Sequence, residues 1–214
     1  SIAFILPTNM GEAGLIVVAI GLGITLPMTP VQILWVNTVT AVTLALAVAF
    51  ERAEADVMDR PPRDPREPLL TRFLIWRVLF VGTLLVIGSM ALFMRALDLG
   101  ASLEAARTVA INALVMGEAV YLFNVRNLTA GILDRAGFLG NPKALAAVAA
   151  IAVLQAALVY APPMQQVFHT APLSAAQWGE IAGFGAVVLL AVEAEKWLVR
   201  RWRLGTMTAR RAGA

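Results

Sequence analysis

Six stretches of this chain are apolar over at least eighteen residues each, and this pattern limits the folds open to it more than any other feature. They run over Ile2–Ile24, Val31–Phe50, Phe73–Leu97, Ala106–Phe123, Ala144–Ala161 and Ile181–Leu198. About 20 mostly apolar residues suffice for a helix to cross a bilayer, so the pattern predicts an all-α, six-helix transmembrane bundle. Composition agrees: 59% of the residues are hydrophobic, mean hydropathy is +0.77, and 14% are charged, against about one quarter charged in soluble domains. The absence of cysteine excludes disulfides and thiolate metal sites. No internal repeat or low-complexity segment breaks the series.

The basic residues orient the bundle. Fifteen of the seventeen Lys and Arg residues fall on one side of the expected spans: Arg52, Arg60, Arg63, Arg66, Arg72, Arg77, Arg126, Arg135, Lys143, Lys196, Arg200, Arg201, Arg203, Arg210 and Arg211. Arg95 and Arg107 fall on the other. The positive-inside rule then expects both chain ends, the loop 51–72 and the tail 199–214 in the cytoplasm. A net charge of +3 and a pI near 9.9 invite a nucleic-acid reading. The basic residues form no patch interleaved with aromatics, so nucleic acid is not an expected partner. Ser1 opens the chain inside a helix-forming run with no basic lead, which is unlike a signal peptide and is expected of a piece of a longer protein.

Polar residues inside the spans carry the functional signal. In ILPTNMGEAGLIV, Glu12 lies at membrane depth, where a charged side chain costs about 2.5–3.5 kcal/mol on insertion scales. Asn9, three residues earlier, shares its helix face. Pro7 has no N–H and so leaves the Ala3 carbonyl without its helical donor. Together with Gly11 this predicts an unwound, polar half-turn of the kind that lines ion sites in transporters. The second span adds Asn37 and Thr40 on one face, with Thr38 and Thr43 expected to bond back to helix carbonyls. The fourth adds Glu118, directly after Gly117, with Asn124 near its end. Asn9, Glu12, Asn37, Thr40 and Glu118 are therefore candidate ligands for a hard cation, which prefers oxygen donors. The bland alternative is a proline kink, a protonated Glu12 and polar glue between helices worth about 0.6 kcal/mol per contact; glue does not need two carboxylates. His169, the sole histidine, is expected to be a surface residue of a loop. The eight methionines suit packing rather than metal transfer, and the tryptophans near span ends suit the membrane interface.

The motifs PTNMGE, PVQILWVNTVT and VMDRPPRDPREPLL, in this order and followed by LSAAQW and EAEKWLVRRW, are specific in combination. The chain resembles the C-terminal membrane domain of type II P-type cation-transporting ATPases, the group of calcium and sodium/potassium pumps. The resemblance spans nearly the whole chain, 1–214, and implies the last six of ten membrane helices. It also implies that Asn9 and Glu12, Asn37 and Thr40, and Glu118 are the cation ligands of three of those helices. In calcium and sodium/potassium pumps the residue after the sixth-helix Thr is an Asp. Here it is Ala41, which implies a single-site pump or one for another cation.

The resemblance further implies that ATP and magnesium act on domains upstream, where the phosphorylated Asp lies. No GxxxxGK[ST] or DKTG stretch occurs here, so this chain alone is not expected to hydrolyse ATP. Implied partners are the lipid bilayer, the transported cation, and the upstream helices and cytoplasmic domains of a parent pump in a bacterial plasma membrane. The RPPRDPREP loop either faces the phosphorylation domain or is a stiff proline-rich connector. The rival function is a stand-alone six-helix membrane protein that binds or passively conducts a cation without ATP.

Overall fold

A computed structural model describes residues 2–49, 70–126 and 142–212, and every regular element among them is a helix. These are α1 (Ile2–Gly21), α2 (Pro30–Ala49), α3 (Arg72–Asp98), α4 (Leu103–Arg126), α5 (Pro142–Tyr160), α6 (Pro162–Phe168) and α7 (Ala175–Ala212). Six of them fall where the apolar runs lie. The short α6 has no counterpart in the hydropathy pattern. It arises because Pro162 and Pro163 end α5 and start a new turn at 80° to it. The expected loop 51–72 falls outside the described residues up to Leu69, and so does the connection 127–141.

Four of the helices are long and apolar enough to cross a membrane, or five if the bent pair formed by α5 and α6 is one span. The chain is thus an integral membrane protein, and its regular structure among the described residues is helical, as the lack of water in hydrocarbon to satisfy a strand edge favours.

Local sequence sets the helix ends. Thr29 and Gln32 cap one another at the start of α2, with the Thr29 N–H donating to Gln32 Oε1 at 2.9 Å and the Gln32 N–H donating to Thr29 Oγ1 at 3.4 Å. Ser174 and Gln177 repeat this capping box before α7 at 2.8 and 3.3 Å. The turn from α3 to α4 is only four residues long and uses Gly100 at φ 81°, a conformation that L side chains resist.

The axis of the bundle is α4. Its membrane-spanning window is 83% buried, against 28–44% for α1, α3 and α7, and it touches α1, α2, α3, α5 and α7. Leu85, Phe93, Ile111, Leu114 and Val188 fill the core between these helices without solvent exposure. At Gly88 of α3 there is no space for a larger residue: a Cβ there would lie 1.9 Å from the Phe184 ring of α7. Gly88→Ala should therefore lower stability by about 1–3 kcal/mol through overpacking, read as a lower thermal unfolding midpoint of the detergent-solubilised protein. An unchanged midpoint would contradict this packing.

Candidate cation site

Glu12 and Glu118 come together from α1 and α4 because one residue of α3 occupies the space beside both. A Cβ at Gly11 would meet Leu85 Cβ and Cδ1 at 3.0 Å, and one at Gly117 would meet Leu85 Cδ2 at 2.4 Å. Each carboxylate thus follows a glycine that lets its helix close onto Leu85. Glu12 is 5% exposed and Glu118 fully buried, and the two side chains are close enough to interact directly. Neither oxygen of Glu118 finds a hydrogen-bond partner among the described residues. Two adjacent buried carboxyl groups cannot both stay ionised unless a cation lies among them; otherwise they hold protons.

The second helix supplies neutral oxygens. Thr40 lies beside Glu118, and its hydroxyl donates to the Val36 carbonyl at 2.8 Å, so the lone pairs of Oγ1 remain available. Asn37 Nδ2 donates to the Ile33 carbonyl at 3.3 Å, and the side chain lies next to Glu12. Asn9 is exposed on α1, and with Glu12, Ile33 and Asn37 it lines a cavity of about 450 Å³ between α1 and α2. The structure therefore brings Glu12, Asn37, Thr40 and Glu118 into one cluster and sets Asn9 on the open side of it. Among the described residues, no group of three or more His, Cys, Asp or Glu side chains gathers in one place; the donors here are mixed carboxylate, amide and hydroxyl oxygens. The Ala41 side chain lies outside the described residues.

The expected unwinding of α1 does not occur. The helix runs unbroken from Ile2 to Gly21 with Pro7 inside it. The Thr8 hydroxyl donates to the Phe4 and Ile5 carbonyls at 3.2 and 3.0 Å, and Tyr121 Oη of α4 donates to the Ala3 carbonyl at 2.8 Å. The carbonyls near the proline are thus satisfied, so nothing forces the turn open. Thr43 bonds back to the Val39 carbonyl, whereas Thr38 is exposed. His169 is exposed, at φ 51°, and caps α6; its carbonyl accepts from Gln32 Nε2 at 3.3 Å.

Two basic residues counted as flanking charges are inside the bundle. Arg77 is 1% exposed and pairs through Nη2 with Glu195 Oε2 of α7, and Lys196 is 3% exposed and pairs with Glu193 at 2.8 Å. Both lie within the helices rather than beyond their ends, and a carboxylate on α7 meets each of them. Arg77 and Glu195 adjoin the Tyr121 side chain, so a second polar centre sits one helical turn from Glu118. Sequence reasoning missed it. The available signals were Arg77 within the third apolar run, and Tyr121 placed one turn after Glu118.

Comparison with known proteins agrees with this architecture. The sequence profile of the family "Cation transporting ATPase, C-terminus" matches residues 25–198. The chain belongs to this family, the C-terminal membrane region of P-type cation-transporting ATPases. It is 45% identical over 199 residues to the probable cation-transporting ATPase F of Mycobacterium tuberculosis, covering 93% of this chain and 22% of that protein. It is 33% identical over 187 residues to the calcium-transporting ATPase of Bacillus subtilis, covering 87% and 21%. The cation-transporting ATPase pma1 of Synechocystis is also 33% identical, covering 83% and 20%. The chain spans about a fifth of the length of these relatives.

The buried ion pair gives a direct test of the packing around the cluster. Glu195→Ala leaves Arg77 buried without its partner and should cost about 3–5 kcal/mol, whereas Arg77→Met with Glu195→Leu should cost far less. Thermal unfolding in detergent distinguishes these outcomes, and equal losses would contradict the pairing.

Proposed function

We propose that this chain is the ion-translocating membrane domain of an ATP-driven P-type cation pump. In this role Asn9, Glu12, Asn37, Thr40 and Glu118 supply oxygen ligands to calcium or another hard cation. The observation that carries it is the cluster of Glu12, Asn37, Thr40 and Glu118 from three helices, with both Glu118 oxygens buried and lacking a hydrogen-bond partner. A cation among these groups would supply the missing partner and balance the two charges. The names of the relatives point the same way: they are cation- and calcium-transporting ATPases.

The work of transport then divides between parts of a longer protein. ATP and magnesium act on cytoplasmic domains outside this chain. Movement of those domains tilts α1 and α2, changing which side of the membrane reaches the site. The cavity between α1 and α2, lined by Asn9, Glu12 and Asn37, is the face that an upstream membrane helix would cover. Both chain ends face the cytoplasm of a bacterial cell; setting Arg77 and Lys196 aside leaves the imbalance of basic residues intact. Ala41, where the pumps it resembles have Asp, fits a site for a single cation or for a cation other than theirs.

The experiment uses the full-length protein that carries this chain, in membranes, with fixed Mg²⁺ and a panel of Ca²⁺, Mn²⁺, Na⁺ and K⁺. One of these ions should stimulate ATP hydrolysis. Glu12→Gln and Asn37→Ala should each remove that stimulation without reducing the amount of protein in the membrane. Unchanged ion dependence in both variants would refute the ligand set.

A further inference from the structure

Pro7 removes one hydrogen bond from α1 at a defined place. Without an N–H at this position, the Ala3 carbonyl has no donor within its own helix, and hydrocarbon offers no water to replace it. Nearby Thr8 does not repair the gap, because its hydroxyl donates to Phe4 and Ile5. The repair comes from α4, whose Tyr121 Oη donates to the Ala3 carbonyl at 2.8 Å. Tyr121 is fully buried, and its ring stacks on Phe4 with centroids 6.1 Å apart and planes at 17°.

The position of this bond matters. An alanine at position 7 would give the Ala3 carbonyl a donor from α1 itself, and the Tyr121 bond would then add to a satisfied carbonyl rather than supply its one partner. With Pro7, the missing intrahelical bond becomes an interhelical one. Tyr121 stands three residues after Glu118 on the same face of α4, and Ala3 belongs to the helix that carries Glu12. One hydrogen bond therefore links the backbones that present the two carboxylates. Arg77 and Glu195, paired across α3 and α7, lie beside the phenol.

We infer that Tyr121 is a positioning residue for the cation site, a role that rests on the site proposed above. Its hydroxyl stands in for the N–H that Pro7 lacks and fixes how Glu12 and Glu118 face one another. The hydroxyl is required only because residue 7 is proline. That dependence separates positioning from general packing, which would not depend on residue 7.

The test is a double-mutant cycle in the full-length protein: wild type, Tyr121→Phe, Pro7→Ala and both together. The readout is the concentration of the activating ion at half-maximal ATP hydrolysis, with Ca²⁺ as the first probe and the other panel ions after it. Tyr121→Phe should raise that concentration about tenfold, equivalent to about 1.4 kcal/mol, while the maximal rate changes by less than about twofold. In the Pro7→Ala background, Tyr121→Phe should change it by less than about twofold, the size of an uncoupled effect. An equal loss in both backgrounds, or no loss beside Pro7, would overturn the inference.

Glu12→Gln serves as the control. Retained ion activation in that variant removes the cation site, and the positioning role with it. Lost activation together with an additive cycle removes the positioning role alone. If Tyr121→Phe does not accumulate in membranes, recovery on adding Pro7→Ala supports the bond, and failure to recover overturns it.

Discussion

Inside hydrocarbon no water takes up a polar group that the fold leaves unpaired, and this bundle is organised around the few places where its sequence creates one. Pro7 leaves a carbonyl, and Tyr121 reaches across from α4 to meet it. Arg77 brings a charge into α3, and Glu195 of α7 meets that. Gln32 bonds the Phe168 carbonyl at 2.7 Å and so ties the start of α2 to the turn after α5. Each of these bonds joins elements far apart in sequence, so polar satisfaction also fixes which helices are neighbours. Glu118 is the acid buried with both oxygens unpartnered, and Ser89, Asn124 and Gln155 likewise bury polar atoms that no hydrogen bond meets among the described residues.

The cost of burying an acid fits the central place of α4, which carries Glu118. A carboxylate facing lipid would be expelled or neutralised. Surrounding it with five other helices creates a site whose polarity is set by chosen side chains rather than by solvent. Leu85 shows how fine the fit is. A single aliphatic side chain occupies the space left by Gly11 and Gly117, and the residue after each glycine is one of the two acids. Apolar packing thus sets the approach of the acids, while Asn37 and Thr40 keep oxygen atoms at hand from α2.

Much of the architecture was legible in the chain. Hydropathy marks the six long helices because a spanning helix must be apolar around its whole circumference, whereas the caps at Thr29 and Ser174 and the turn at Gly100 emerged only from the structure. Glu12, Asn37, Thr40 and Glu118 stood out for the same reason: polar side chains are conspicuous in apolar runs. The α6 turn was not visible, because seven residues after two prolines carry no periodic signal. The expected opening of α1 at Pro7 failed for a related reason, as sequence spacing shows the missing donor but not a replacement from another helix.

The sequence by itself determined that this is a helical membrane protein and which polar residues interrupt its apolar runs, since both follow from composition and periodicity along one chain. Only the tertiary structure decided that Glu12 meets Glu118 across Leu85, that Arg77 is buried against Glu195 rather than lying at the membrane surface, and that Tyr121 replaces the N–H missing at Pro7. These are pairings between residues more than about 100 positions apart, and hydrogen bonds and close packing act through space. No local pattern encodes them until the helices are packed.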